Sequence, residues 1–225
     1  MLRACFPDHC SVLLIGSPGI GLLEFNVSLV QSYLEKDDVV IFVAVDTSPA
    51  DVLELMSAFG IPTKDVLGKK LFILDYHSSI LGASEERQST SGVKLISDLE
   101  AIMFNISSIS QETKKRTRTF FYSLSTLFLY NQPNVVLKFF QISNARIRMH
   151  YGSSIVSVHE GVHEEKTVNH LMAIADGVIE LRFDEELNKM LRVRNMRGYP
   201  TSSQWIPFEI KGAEQQRPAN ILEWV

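Results

Sequence analysis

Six residues near the start of the sequence, "GSPGIG" (Gly16–Gly21), have the types and spacing of a loop that wraps a phosphate. Glycines let the backbone turn tightly and aim its N–H groups at an anion, and a helix beginning just after adds its positive end. In the nucleotide-binding form of this motif, a lysine and then a serine or threonine follow the last glycine. The lysine compensates phosphate charge and the hydroxyl ligates magnesium. Here those two places hold Leu22 and Leu23, and leucine does neither. Glu24 comes next, a carboxylate that suits a helix amino terminus and repels an incoming phosphate. Two readings stay open: a glycine turn between a strand and a helix, or a phosphate loop (Gly16, Ser17, Pro18, Gly19, Ile20, Gly21) that has lost its chemistry.

Other chemistry-bearing residues cluster in "SVHEGVHEEKTVNH", which contains His159, His163 and His170 with Glu160, Glu164 and Glu165. The spacing of His159 and His163 admits a zinc site. The first falls at a strand end and the second near a helix start, so the preferred expectation is a solvated polar loop and no metal. "KKRTRTFFY" (Lys114–Tyr122) puts four basic residues ahead of a strand; the charged start of a strand is preferred over a nucleic-acid patch. His150 and Tyr151 read as turn residues. Trp205 and Trp224 are packing or partner-contact aromatics. Cys5 and Cys10, the only cysteines, bracket "FPDH". No signal-peptide pattern is seen, so they are expected to be thiols in a cytoplasmic protein.

These residues need elements to position them. The 225 residues, 45% hydrophobic and 21% charged, suit one α/β domain with a substantial core. A net charge of −4 gives no pull toward nucleic acid or an anionic membrane. No apolar run reaches the roughly 18 residues that a membrane span needs. "SVLLIG" (Ser11–Gly16) reads as a strand and Leu22–Leu34 as an amphipathic helix. "VVIFVAVD" (Val39–Asp46) is apolar throughout, as a strand buried on both faces should be. In "TSPADVLELMSAFG", Ser48 can cap a helix, Pro49 suits its first position, and Gly60 ends it. "KKLFILDY" gives a third strand, followed by a polar loop from Ser78 to Gly92 and a long helix over Val93–Ser110. "TFFYSLS" is a fourth strand, with "TLFLY" and its neighbours taken as further core-strand material. A helix over Asn134–Met149 and a fifth strand in "SSIVSVHE" follow. The tail is a β-hairpin ("GVIELRFDEELNKMLRVRNMRG") and a last strand ("WIPFEIK"). Alternating β and α units predict a mostly parallel sheet flanked by helices.

The tail also carries a resemblance. "LMAIADGVIELRF", "LRVRNMRG" and "PFEI" in this order resemble the end of the KaiC-like branch of the RecA superfamily of P-loop ATPases. "VDTSPADVLELMSAFGI", "KKLFILD" and "FFYSLSTLFLY" are similar to the family's middle segments. The resemblance covers roughly Ser11–Lys211, so the expected architecture is a single RecA-like domain over 1–225 with a short non-family lead of about ten residues. It lacks the glycine-rich preamble that the family carries before its first strand.

The resemblance implies ATP and magnesium bound at the first strand–helix turn, usually between subunits of a ring or filament. Position by position, this chain departs from it. Leu22 and Leu23 replace the lysine and the hydroxyl residue. Where the family has a glutamate pair to position water, the chain has Asp46 and Thr47, and Asp46 is also an ordinary residue ahead of a helix. Tyr122 replaces the magnesium aspartate, with Ser123 retained. In the hairpin Asn195 replaces a lysine, while Arg197 survives, as a finger toward a neighbour's phosphate or, the preferred expectation, as a structural ion pair or interface contact. Phosphoryl transfer needs charge neutralisation, a held metal and an oriented water together. The expectation is therefore a catalytically inactive relative that acts as an interaction or regulatory module. Its partner would be a protein or peptide, an active relative, or another copy of itself. Residual nucleotide binding through the glycine loop is the alternative. A recombinase-like DNA accessory role is a second alternative, opposed by the acidic His159–Glu165 segment.

Overall fold

A computed structural model describes residues 6–82 and 91–210. Cys5, Trp224 and part of the Ser78–Gly92 loop lie outside the described residues.

In chain order the elements are β1 (Ser11–Gly16), α1 (Leu22–Leu34), β2 (Val39–Ala44), α2 (Pro49–Ala58), α3 (Thr63–Val66), β3 (Leu71–Asp75), α4 (His77–Ile80), β4 (Val93–Leu95), α5 (Leu99–Thr113), β5 (Thr117–Tyr122), α6 (Leu124–Tyr130), α7 (Pro133–His150), β6 (Gly152–His159), α8 (Glu165–Ile174), β7 (Gly177–Phe183), β8 (Lys189–Met196) and β9 (Ile206–Pro207). The strands form one nine-stranded sheet in the order β4-β3-β2-β5-β6-β1-β7-β8-β9. From β4 to β7 every pairing is parallel, while β8 and β9 run antiparallel at the far edge. β1 and β2 are buried along their whole length, which requires cover on both faces.

Alternation along the strands splits the core in two. Val12, Leu14, Val40 and Phe42 face one side with α1 and α2. Leu13, Ile15, Ile41 and Val43 face the other with α5, α6, α7 and α8. The parallel registers bring the carboxyl ends of β1, β6, β2 and β5 to one edge of the sheet: Gly16 pairs with His159 and Ala44 with Tyr122. In open α/β sheets this edge is where ligand crevices form.

Local signals hold where they rest on capping. Ser48 accepts from the Asp51 N–H, and Gly60 takes φ +80° just beyond α2. Three expectations are corrected. Val93–Ser110 is not one helix: Val93–Leu95 pairs with Ile73–Asp75 as β4, and the helix starts at Leu99, where the Asp98 side chain accepts from the Ala101 N–H at 2.7 Å. "TLFLY" is not strand but the end of helix α6, with Leu124 and Leu127 buried three apart and Leu129 and Tyr130 exposed. The last strand of "WIPFEIK" shrinks to Ile206–Pro207, paired with Leu191 and Met190, with one further backbone bond from the Phe208 N–H to the Lys189 carbonyl at 2.9 Å.

Candidate functional site

The glycine loop leaves β1 at Gly16 and enters α1 through Gly21, which has φ 90° and supplies no side-chain cap. The Ser17 N–H donates to the Leu181 carbonyl at 3.0 Å and the Ile20 N–H to the Ser17 carbonyl at 3.1 Å. These bonds tie the turn to β7 and to itself. Leu22 is 4% exposed and belongs to the core cluster beneath α1. A Cβ placed on Gly16 would sit 2.9 Å from Leu22 Cδ1, so the leucine packs directly against the first glycine of the loop. Leu23 packs half-buried against the same cluster. On one side the Ser17 hydroxyl donates to the Glu160 carboxylate, while the Glu160 N–H donates to the Gly16 carbonyl at 2.9 Å. On the other side, a Cβ on Gly21 would meet Ile210 Cδ1 at 2.8 Å, Lys189 Nζ at 3.2 Å and Glu24 Oε2 at 3.5 Å. The loop thus has an apolar interior, a carboxylate on each flank and one ammonium arriving from the hairpin.

Beside the loop, at the ends of β2, β5 and β6, a polar cluster centres on Asp46. Its Oδ1 accepts from the Ser123 N–H at 3.0 Å and its Oδ2 from the Ser123 hydroxyl at 2.6 Å. His159 Nε2 lies 3.1 Å from the same Oδ2. Burial alone would raise the Asp46 carboxyl, but donors from His159, Ser123 and Thr126 outweigh it and hold the group below the usual carboxylate range. Ser125 continues the cluster: its hydroxyl oxygen accepts from the His159 N–H at 2.9 Å and lies 2.8 Å from His163 Nε2. Burial, aided by the neighbouring His159, lowers the His163 pKa and favours the neutral ring. Tyr122 stands edge-on to His159 with centroids 6.0 Å apart. Burial first, then the charges of Asp46 and Glu24, push its phenol well above its ordinary value, so it stays protonated. Thr47 follows Asp46 at a half-buried position.

His159 and His163 are therefore not part of a solvated loop; both face the crevice, and only His170 remains exposed on α8. No group of three or more metal-ligating side chains occurs among the described residues.

The hairpin positions lie elsewhere. Asn195 sits opposite Val178 on β8, and Arg197 ion-pairs with Asp176 Oδ1 at 2.6 Å. Asp176, 7% exposed, also binds Arg148 at 2.7 Å and accepts from the Ser11 N–H at 3.0 Å. Ser11 begins β1 and Gly16 ends it, so Arg197 lies about 17 Å from the glycine loop of its own chain. The basic run ahead of β5 is a charged strand start. Lys115 pairs with Asp37, while Arg116 and Arg118 both bind Asp38 at 2.9 Å and reach Asp8. Cys10 is a buried thiol 3.2 Å from the Pro7 carbonyl, its pKa pushed up to about 12 by burial. Trp205 stacks with the guanidiniums of Arg182 and Arg192, at 3.8 and 4.4 Å from its ring centre.

The resemblance assigned Asp46, Ser123 and the glycine loop to one site but did not point to Glu160 or Lys189. Glu160 had one usable signal, its position directly after the strand that ends at His159. Lys189 had none, because the reach of its side chain depends on how the hairpin folds back.

A mostly parallel sheet in this order, with a glycine turn at the end of a central strand and an antiparallel hairpin at one edge, defines a RecA-like α/β protein. The family model described as "ATPase: KaiC" matches residues 1–215, and the chain belongs to that family. The UPF0273 protein PH0284 of Pyrococcus horikoshii is 28% identical over 220 residues, spanning 93% of this chain and 86% of its own. A UPF0273 protein of Thermotoga maritima is 28% identical over 218 residues, spanning 93% and 88%. Two solved structures share the fold. The KaiC-like protein PH0186 from P. horikoshii superposes with a TM-score of 0.72 at 19% identity, over 92% of this chain and 88% of that one. PH0321 from the same organism, solved in complex with an unknown peptide, superposes at 0.75 with 16% identity, over 93% and 91%. No helix among the described residues is long and apolar enough to cross a membrane.

Proposed function

We propose that this chain is a KaiC-type family member that does not hydrolyse ATP and serves as a protein-interaction or regulatory module. One observation carries the reading: Leu22 is buried against Gly16 where a P-loop needs its lysine. A leucine there offers no charge to a triphosphate, and the carboxylates of Glu24 and Glu160 beside the loop oppose one. The remainder of the site supports the same conclusion. Asp46, the one carboxylate at the place of the family's glutamate pair, has both oxygens engaged by Ser123 and His159. Tyr122 presents a protonated phenol in place of a metal ligand. These residues do not fit Mg-ATP as the family binds it. The partner on this reading is a protein or peptide, an active relative or a second copy. The peptide bound to the fold relative PH0321 supports the first class.

Titration calorimetry with Mg-ATP and a phosphate-release assay test the proposal. Heats and phosphate at buffer level are expected, whereas micromolar affinity with magnesium-dependent turnover overturns it.

A second reading is favoured by the Lys189 ammonium beside Gly21: weak nucleotide binding with this lysine in place of the missing one. It predicts a rise in melting temperature with ADP that disappears in Lys189→Ala.

A further inference from the structure

On the face of the sheet away from the glycine loop's helix, α5 and α7 leave an open groove of about 970 Å³ between them. Its floor is apolar: Met103 is nearly buried and Phe139 packs against the core. Its walls are apolar and exposed. Phe104 on α5 is 72% exposed and Ile142 on α7 is 39% exposed. At one end a hydrogen bond of 2.9 Å between the Ser107 and Tyr151 hydroxyls ties α5 to the end of α7. Singly exposed apolar residues are ordinary, but two facing stripes lining one groove form a continuous apolar strip.

Charge states what fits there. Lys138, Ile142 and Arg146 follow one another at four-residue spacing along α7, so the two cations lie on one rim, about 12 Å apart. The other arginines among the described residues are engaged: Arg116, Arg118, Arg148, Arg192, Arg194 and Arg197 all form ion pairs, and Arg182 covers Trp205. Among the described residues Arg146 and Lys138 have no carboxylate partner, although the chain as a whole is acidic. One carboxylate, Glu100, lines the groove from the first turn of α5, while the α7 side carries Lys138 and Arg146, so the α7 rim complements a segment that is apolar on one side and acidic beside it.

We infer that the α5–α7 groove docks an acidic amphipathic helix of a partner protein, with apolar side chains between Phe104 and Ile142 and carboxylates against Lys138 and Arg146. The inference rests on the reading of this chain as an interaction module and names its surface and partner chemistry. Helix-in-groove recognition of this kind uses apolar anchors at i, i+3, i+4 and i+7 for affinity and rim charge for selectivity.

The test uses the full chain and two fluorescein-labelled synthetic helices of about 15 residues, roughly 22 Å long. Both carry a leucine stripe; one has glutamates flanking it, the other lysines at the same places. Fluorescence anisotropy should show the acidic helix binding at least about tenfold more tightly, a difference of about 1.4 kcal/mol. Lys138→Glu with Arg146→Glu should reverse that preference, and Phe104→Ser should weaken both helices. All three positions are exposed or on the rim, and circular dichroism of the variants verifies that they fold. Equal affinity for the two helices, no binding of either, or indifference to the substitutions overturns the inference. Sedimentation of the wild type distinguishes another occupant: self-association abolished by Phe104→Ser would make it a second copy and overturn the partner helix. Phosphate release is read on the same preparation. Turnover there would sink the inactive-module reading whatever the helices do, and a failed groove beside absent turnover would leave that reading standing on another surface.

Discussion

The two ends of the parallel strands treat charge in opposite ways. At the amino-terminal end, charges are paired around the buried carboxylates of Asp38 and Asp176. Arg118 and Asp38 are 3% and 4% exposed and meet at 2.9 Å, with Asp8, the Ser153 hydroxyl and the Tyr33 ring around the guanidinium. Asp176 gathers Arg148, Arg197 and the start of β1. At the carboxyl-terminal end, where the fold places its ligand crevice, the loop interior is leucine and carboxylates flank it. Saturated ion pairs hold a scaffold; a catalytic edge needs charges left free for the ligand. In this chain the scaffold end has its buried carboxylates paired, while Glu24, Glu160 and the Lys189 ammonium stand around a leucine-filled loop at the other.

The largest test strikes the scaffold. Arg118→Met leaves Asp38 buried without its main partner and should cost about 3–5 kcal/mol, lowering the melting temperature on the order of 10 °C in a chain of this size. Denaturant titration giving under about 1 kcal/mol would erase the contrast between the ends.

Restoring the motif is the next largest. Leu22→Lys with Leu23→Thr replaces packed apolar side chains and brings an ammonium to the core edge, at a cost of about 2 kcal/mol. Phosphate release should nevertheless stay at background, because Tyr122 and the flanking carboxylates remain. Magnesium-dependent turnover in this variant would mean that the crevice lacks only its lysine and hydroxyl.

Smaller still is the removal of loop charge. Glu24→Gln with Glu160→Gln keeps the Ser17 hydrogen bond acceptor but deletes two negative charges at a helix amino terminus, each worth about 0.3–1 kcal/mol toward a bound anion. On the reading in which Lys189 supports weak nucleotide binding, the midpoint of the ADP-induced melting shift should fall several-fold in concentration. An unchanged midpoint would remove electrostatic exclusion from the argument.

The smallest effect is a pH dependence confined to the crevice. The His163 pKa lies below its ordinary value, so between the folded and unfolded values the unfolded chain binds the extra proton. Its contribution is full above about pH 6.5 and is lost as pH falls below that. Asp46 acts in the same direction at lower pH: its contribution is present above the ordinary carboxylate value and lost as pH drops through the depressed folded value. Denaturation midpoints from pH 8 to 5 should decline less in His163→Gln than in the wild type, a range chosen to bracket the ordinary histidine value of about 6.5. Parallel curves would show that the ring titrates as if exposed.

Much of the fold was legible because its signals are local. Uninterrupted apolar runs marked the buried strands, and Ser48, Pro49 and Gly60 framed α2 through caps that act within a few residues. Where the reading failed, a long-range contact overrode a local pattern. Val93–Leu95 has helix-compatible residues but finds β3 as a partner. "TLFLY" has strand-forming residues but follows the Asp46-bound Ser123 into a helix whose Leu124 and Leu127 reach the core.

At the candidate site the division is the same. The sequence by itself determined which side chains are missing: Leu22, Leu23, Thr47, Tyr122 and Asn195 are identities, and no conformation makes them a lysine or an aspartate. Only the tertiary structure decided what the remaining residues do. His159 meets Asp46 across 113 residues of chain, Glu160 closes on Ser17 across 143, and Lys189 arrives beside Gly21 from the hairpin. Those juxtapositions come from parallel register and strand order, which bring together segments that share no local pattern.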